Sequence, residues 1–189
     1  NQLLVFDPST GAMDTTYYLP QMEGVYSLID GPDGKIWYVY PSVIHQSIGT
    51  IIPGGAPPVV TPINSSGLGS KNEDAFLYGA AVGPDGNVWF TQYLSDGIGF
   101  VDPLTHAIAV YTYTPALFGA STSRPLNYNG PLGITAGPDN AMWFVNRDAN
   151  TLNRFDLTTH AFSEYAIPTA GCKPWEIAAS VLYLASGAA

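Results

Sequence analysis

Three histidines, fifteen carboxylates and one cysteine are the side chains here that could move a proton, hold a metal or attack a substrate. His106 and His160 close two similar segments, Asp102-Pro103-Leu104-Thr105-His106 and Asp156-Leu157-Thr158-Thr159-His160, so repetition marks them as turn residues. His45 stands outside any repeated turn and is the histidine placed to act as a base near neutral pH. Asp33, Asp85 and Asp139 each follow Gly-Pro, and Asp7, Asp102 and Asp156 each open a turn; these six carboxylates read as local structure. Glu176 lies in no such turn. It is the second candidate catalytic residue, and with Asp74 it could offer oxygen ligands to a hard cation.

A second group could bind rather than react. Tyr26, Tyr78 and Trp175 occupy one equivalent place in successive repeats, where the third repeat has Leu132. Aromatic bodies with polar edges suit sugar rings and apolar natural products. Tyr93 and Arg147 follow equivalent strands and fall near the same place, as does Lys173 beside Glu176. Cys172 is the lone cysteine, so an internal disulfide is excluded. The chain holds no Gly-x-Ser-x-Gly elbow, phosphate loop, His-Glu-x-x-His or paired Cys/His spacing.

The elements that must position these residues come from a repeat. Gly31-Pro32-Asp33-Gly34, Gly83-Pro84-Asp85-Gly86 and Gly137-Pro138-Asp139-Asn140 begin 52 and then 54 residues apart, and each runs into an aromatic and β-branched stretch through Trp37, Trp89 or Trp143. Proline presets the turn, Gly or Asn tolerates positive φ, and the stretch after it reads as a strand. The three tryptophans are expected in the core. A Phe-Asp segment and one further strand complete a four-stranded antiparallel unit. Such units at this pitch describe β-propeller blades.

Blades are expected at about 24–63, 75–114 and 130–168. Residues 171–189 resemble the first two strands of a blade and residues 1–20 the last two. Their pairing would close a single-domain, all-β propeller of four blades; the alternatives are part of a larger propeller, or two chains sharing one ring. Two long connections, 64–74 and 115–129, fall on the same side as the residues after each second strand.

A formal charge of −9 excludes a basic face for nucleic acid or an anionic membrane. No apolar run approaches the length of a membrane span. The sequon Asn64-Ser65-Ser66 favours a secreted protein. The expected partner is a small molecule or glycan, the expected state a monomer or homodimer.

Through the Gly-Pro-Asp-Gly turns, Ile98-Gly99-Phe100-Val101-Asp102-Pro103 and Gly133-Ile134-Thr135-Ala136-Gly137-Pro138-Asp139, the chain resembles the streptogramin (virginiamycin B) lyases. The resemblance implies a β-propeller that opens a cyclic depsipeptide ester by elimination, with a histidine base and Mg²⁺ near the ring axis. In that family the acid and histidine tend to lie just past the second strand. The matching pairs here are Tyr40-Pro41, Gln92-Tyr93, Asn146-Arg147 and Ala185-Ser186, none a carboxylate or histidine. The reading is therefore a propeller-fold binding protein with its ligand at the axial mouth. A Mg²⁺-dependent lyase and a protein-interaction scaffold are the alternatives.

Overall fold

The computed structural model describes residues 2–18, 24–40, 47–52, 60–62, 76–93, 97–113 and 130–180. These residues form strands and no helix. A hairpin of β1 (Gln2–Asp7) and β2 (Ala12–Tyr18) comes first. The first four-stranded sheet holds β3 (Ser27–Asp30), β4 (Ile36–Tyr40), β5 (Ser47–Ile51) and β6 (Val60–Pro62). The second holds β7 (Leu77–Val82), β8 (Val88–Gln92), β9 (Gly97–Val101) and β10 (Ile108–Thr112). The third holds β11 (Pro131–Ala136), β12 (Ala141–Asn146), β13 (Thr151–Asp156) and β14 (Phe162–Ala166). Each sheet is an antiparallel meander in chain order, which is the expected blade.

The repeated turn is a small hydrogen-bonded device. Gly31, Gly83 and Gly137 donate their N–H to the carbonyls of Lys35, Asn87 and Ala141 at 2.8, 2.9 and 2.8 Å. Gly34, Gly86 and Asn140 take positive φ of 75, 78 and 56°. The aspartate then accepts the indole N–H four residues on: Trp37 to Asp33 at 2.8 Å, Trp89 to Asp85 at 3.0 Å and Trp143 to Asp139 at 2.9 Å. The indole lies over the first glycine so closely that a Cβ there would collide with it. The motif thus seats the tryptophan as well as turning the chain.

The Asp-led turns between third and fourth strands are equally local. Asp102 accepts the N–H groups of Leu104 and Thr105 at 2.8 and 3.1 Å, and Asp156 those of Thr158 and Thr159 at 2.9 Å each. His106 and His160 stand where Gly11 stands in the hairpin, in the left-handed region at φ 60 and 56°. Their rings pack on the core, His106 at 6.5 Å from Trp37 and His160 at 5.9 Å from Phe155. Both are structural.

Packing between blades follows the strand alternation. Trp37, Val39 and Ile48 of the first sheet meet Leu77, Val88, Phe90 and Val101 of the second. Trp89 and Ile98 of the second meet Ile134, Met142, Phe144 and Phe155 of the third. On the first sheet's other side, Tyr38, Tyr40 and Ile51 receive Leu3 of the hairpin. Trp37 and Trp89 are buried, but Trp143 is only half-buried, because no further sheet covers it among the described residues.

Around the innermost strands the backbones approach closely. β7 and β11 each carry a register irregularity, at Leu77/Ala80 and Pro131/Ile134. The first frees the Gly79 N–H, which donates to Thr91 Oγ1 at 2.9 Å, and that hydroxyl donates to the Leu132 carbonyl of the next sheet at 2.7 Å. The second frees the Gly133 N–H, which donates to the Trp175 carbonyl at 3.0 Å. A Cβ on Gly79 would come within 2.5 Å of Leu132 O, and one on Gly133 within 2.7 Å of the Glu176 Cα. Segment 174–177 therefore lies against β11 much as β11 lies against β7. Residues 171–180 carry no strand, β1 pairs with β2 alone among the described residues, and the expected pairing of the two tails is not described.

Candidate functional site

Three equivalent strand starts and two equivalent strand ends meet on one side of the sheets. Tyr26 precedes β3, Tyr78 lies in β7, and Trp175 lies in the segment beside β11. Tyr93 follows β8 and Arg147 follows β12. Backbone bonds fix these ends: Tyr93 N–H to Phe76 O at 2.7 Å, Gly130 N–H to Tyr93 O at 3.0 Å, and Arg147 N–H to Gly130 O at 3.4 Å.

The rings form a continuous chain of contacts. Tyr26 and Tyr78 meet edge-on at 4.9 Å, and Tyr78 and Trp175 edge-on at 5.5 Å. Tyr93 lies 6.4 Å from Tyr78 and 5.9 Å from Phe76, which is 6.0 Å from Tyr26. The Arg147 guanidinium covers the Trp175 ring at 4.9 Å. Edge-to-face and cation–π contacts of this sort hold rings upright and leave other ring faces open. Tyr26 and Trp175 remain about half exposed, at 51 and 47%. Phe76 was not anticipated; standing two residues before Tyr78, it could have been found from the period-2 alternation that puts both on one side of a strand.

The electrostatics are those of a partly dried surface. Burial pushes the Tyr78 hydroxyl up, opposed by a hydrogen bond from Trp175. Burial also raises Tyr93, opposed by the charge and hydrogen bond of Arg147, with Asp148 close enough to act the other way. Glu176 is raised by desolvation alone. Its Oε2 would stand 2.7 Å from a Cβ on Gly133, so the carboxyl rests on the innermost strand of the third blade. It remains exposed on its outer side and makes no ion pair with Lys173 among the described residues.

The structure thus brings together Tyr26, Tyr78, Tyr93, Trp175, Arg147 and Glu176. Lys173 is exposed, in the left-handed region at φ 49°, with no described partner at the mouth. His45 and Asp74 lie outside the described residues. No group of three or more His, Cys, Asp or Glu side chains stands together among the described residues. Among the described residues, Glu176 and Asp148 are the carboxylates at this mouth, beside a guanidinium. These two do not by themselves make the oxygen set that Mg²⁺ requires.

Residues 8–183 match the model of the virginiamycin B lyase family. Among solved structures, the chain is similar to a catalytically inactive variant of virginiamycin B lyase from Staphylococcus aureus with quinupristin, at 25% identity and a TM-score of 0.72 over 93% of this chain and 52% of that one. It is also similar to a streptogramin B lyase, at 28% identity and 0.65 over 88% and 48%. An auxiliary nutrient binding protein from Bacteroides ovatus, at 13% identity and 0.53 over 86% and 40%, shares the fold alone. No curated protein sequence matches the chain. The chain spans about half the length of the lyases it matches.

Proposed function

The chain belongs to the virginiamycin B lyase family, and from that premise we propose that it binds a ring-bearing small molecule or glycan at the mouth formed by Tyr26, Tyr78, Tyr93 and Trp175. The observation that carries this reading is the unbroken line of aromatic contacts gathered from successive repeats and left half exposed. A flat ring set against Trp175 or Tyr26 covers apolar area already held in place, so little side-chain freedom is lost on binding. Arg147 and Glu176 stand at the rim to meet polar groups of the ligand and fix its orientation. In this reading the blades form an arc of a larger propeller, as the half-length match to the lyases suggests.

The test is a glycan array run beside calorimetric titration with a cyclic depsipeptide, using the unmodified chain and Trp175→Ala. Binding in either format that Trp175→Ala weakens at least tenfold is the expected result. No binding in both, or binding indifferent to Trp175, refutes it.

A second reading is an active lyase, favoured by the Glu176 carboxyl that rests against Gly133 of β11 and is raised by desolvation. Elimination breaks the ester C–O bond, removes a proton from the neighbouring carbon and leaves a carbon–carbon double bond, so the opened product has unchanged mass. Chromatography of a cyclic depsipeptide incubated with and without Mg²⁺ detects it. Opening that Glu176→Gln abolishes would move the assignment from binding to catalysis.

A further inference from the structure

Neighbouring rings at the mouth stand nearly square to one another. Tyr26 and Tyr78 meet at 68°, and Tyr78 and Trp175 at 84°. An edge-on contact of this kind makes an inside corner walled by two ring faces. A ring face carries the negative part of the aromatic quadrupole, so such a corner attracts a cation and repels an anion. The protein already uses that preference once, where the Arg147 guanidinium lies over Trp175 at 4.9 Å.

The charges point the same way. Arg147 is engaged within the protein, by the Trp175 ring and by the Tyr93 hydroxyl, on which the Asp148 carboxylate also acts. Its charge is answered locally. Glu176 has no such answer. It makes no ion pair among the described residues, and its carboxyl feels desolvation without any pull from Arg147 or Lys173. Yet it reaches the row of rings. Its Oε2 rests at Gly133 of β11, and its charge acts on the Tyr78 hydroxyl, which also takes a hydrogen bond from Trp175. A partly desolvated carboxylate and two ring faces thus converge on the corner of Tyr78 and Trp175.

Resting on the reading of this mouth as a ring-binding site, we propose that its ligand is an organic cation. The ligand is a ring-bearing molecule with a protonated amine or quaternary ammonium group, seated in the Tyr78–Trp175 corner against Glu176. Desolvating a carboxylate with no partner costs free energy that a ligand cation recovers and a neutral sugar does not. An anionic ligand would have both the ring faces and Glu176 against it. The formal charge of −9 biases approach to the mouth in the same sense.

Calorimetric titration with probes that share one ring tests this: 2-phenylethylammonium, its uncharged N-acetyl amide and 3-phenylpropionate. On the unmodified chain the ammonium should bind about tenfold tighter than the amide, and the carboxylate weakest of all. Glu176→Gln should cut the ammonium-to-amide ratio by about threefold or more, and Glu176→Lys should make the carboxylate bind tighter than the ammonium. The comparison of probes on the unmodified chain needs no variant, so it stands even where a substitution disturbs folding. An amide that binds the unmodified chain as tightly as the ammonium does, or a ratio that Glu176→Gln leaves unchanged, overturns the cation proposal and leaves ring binding standing. Binding by none of the probes overturns both.

Discussion

Thr91 is the residue at which repeat pattern and structure disagree most usefully. It stands two residues after Trp89, where the other two blades have Val39 and Val145. By pattern alone Thr91→Val should be harmless. In the structure the hydroxyl is buried, accepts the Gly79 N–H at 2.9 Å and donates to the Leu132 carbonyl at 2.7 Å, which belongs to the next sheet. Valine fills the same volume and leaves both backbone groups unpaired. Each unpaired buried group costs about 1–3 kcal/mol, offset in part by the added methyl, roughly 0.8 kcal/mol. The net loss is about 3 kcal/mol. For a chain this long that corresponds to a fall in Tm of about 6–12 °C. Calorimetry and urea unfolding measure it. Thr91→Ser keeps both hydrogen bonds and loses one methyl, so it should cost only about 1 kcal/mol. A Thr91→Val protein melting within about 2 °C of the original, or below which Thr91→Ser falls, would refute the reasoning, because the hydroxyl would then not join the two sheets.

Other consequences are smaller. His106→Gly should be more stable than His106→Ala by about 1 kcal/mol in urea unfolding, since only glycine enters the left-handed region without cost. The Thr158 and Thr159 N–H groups and Arg154 hold the Asp156 carboxyl down to about 2, against an ordinary 3.8. Its contribution to stability is therefore whole above about pH 4 and is lost as pH falls through about 2; Asp156→Asn should flatten that limb of a stability–pH curve. Glu176 works the other way. Its raised carboxyl favours the fold while protonated and loses that advantage as pH rises through its shifted value, so Glu176→Gln should remove a small decline in stability on the alkaline side of 4.5. Trp175→Ala should cut ligand binding at least tenfold while moving Tm little, because the ring is half exposed.

The blades were legible because their signals are local. Gly-Pro-Asp fixes a turn, the tryptophan four residues beyond the aspartate needs that carboxylate for its N–H, and strand alternation does the rest. The same local logic removed six carboxylates and two histidines from the list of reactive groups, and the turn geometry at Asp102, Asp156, His106 and His160 explains why. The aromatic mouth was partly legible, because equivalent positions in a repeat fall at equivalent places around an axis; Tyr26, Tyr78 and Trp175 followed from alignment alone. What could not be read was contact between repeats. The freed Gly79 N–H, the hydroxyl of Thr91 that takes it, and the half-covered state of Trp143 all depend on which sheet comes next, and that information lies tens of residues away in the chain.

The division of labour within the repeat also bears on why the mouth can be varied. In each blade the residues that hold the sheet together are the turn aspartate, the tryptophan and the apolar alternation, all on the side away from the mouth or inside the packing. The mouth positions carry Tyr26, Tyr78, Leu132 and Trp175 in one register and Tyr40, Gln92 and Asn146 at the ends of the second strands. Leu132, Tyr40, Gln92 and Asn146 are buried, Tyr40 in the core and Asn146 bonded to Tyr113 and Ala149, so the positions least bound by packing are Tyr26, Tyr78 and Trp175. A scaffold of this kind keeps its fold while its activity changes. The chain belongs to its family although neither histidine nor carboxylate stands at Tyr40-Pro41, Gln92-Tyr93 or Asn146-Arg147, because the family pattern lies in the turns and the apolar alternation.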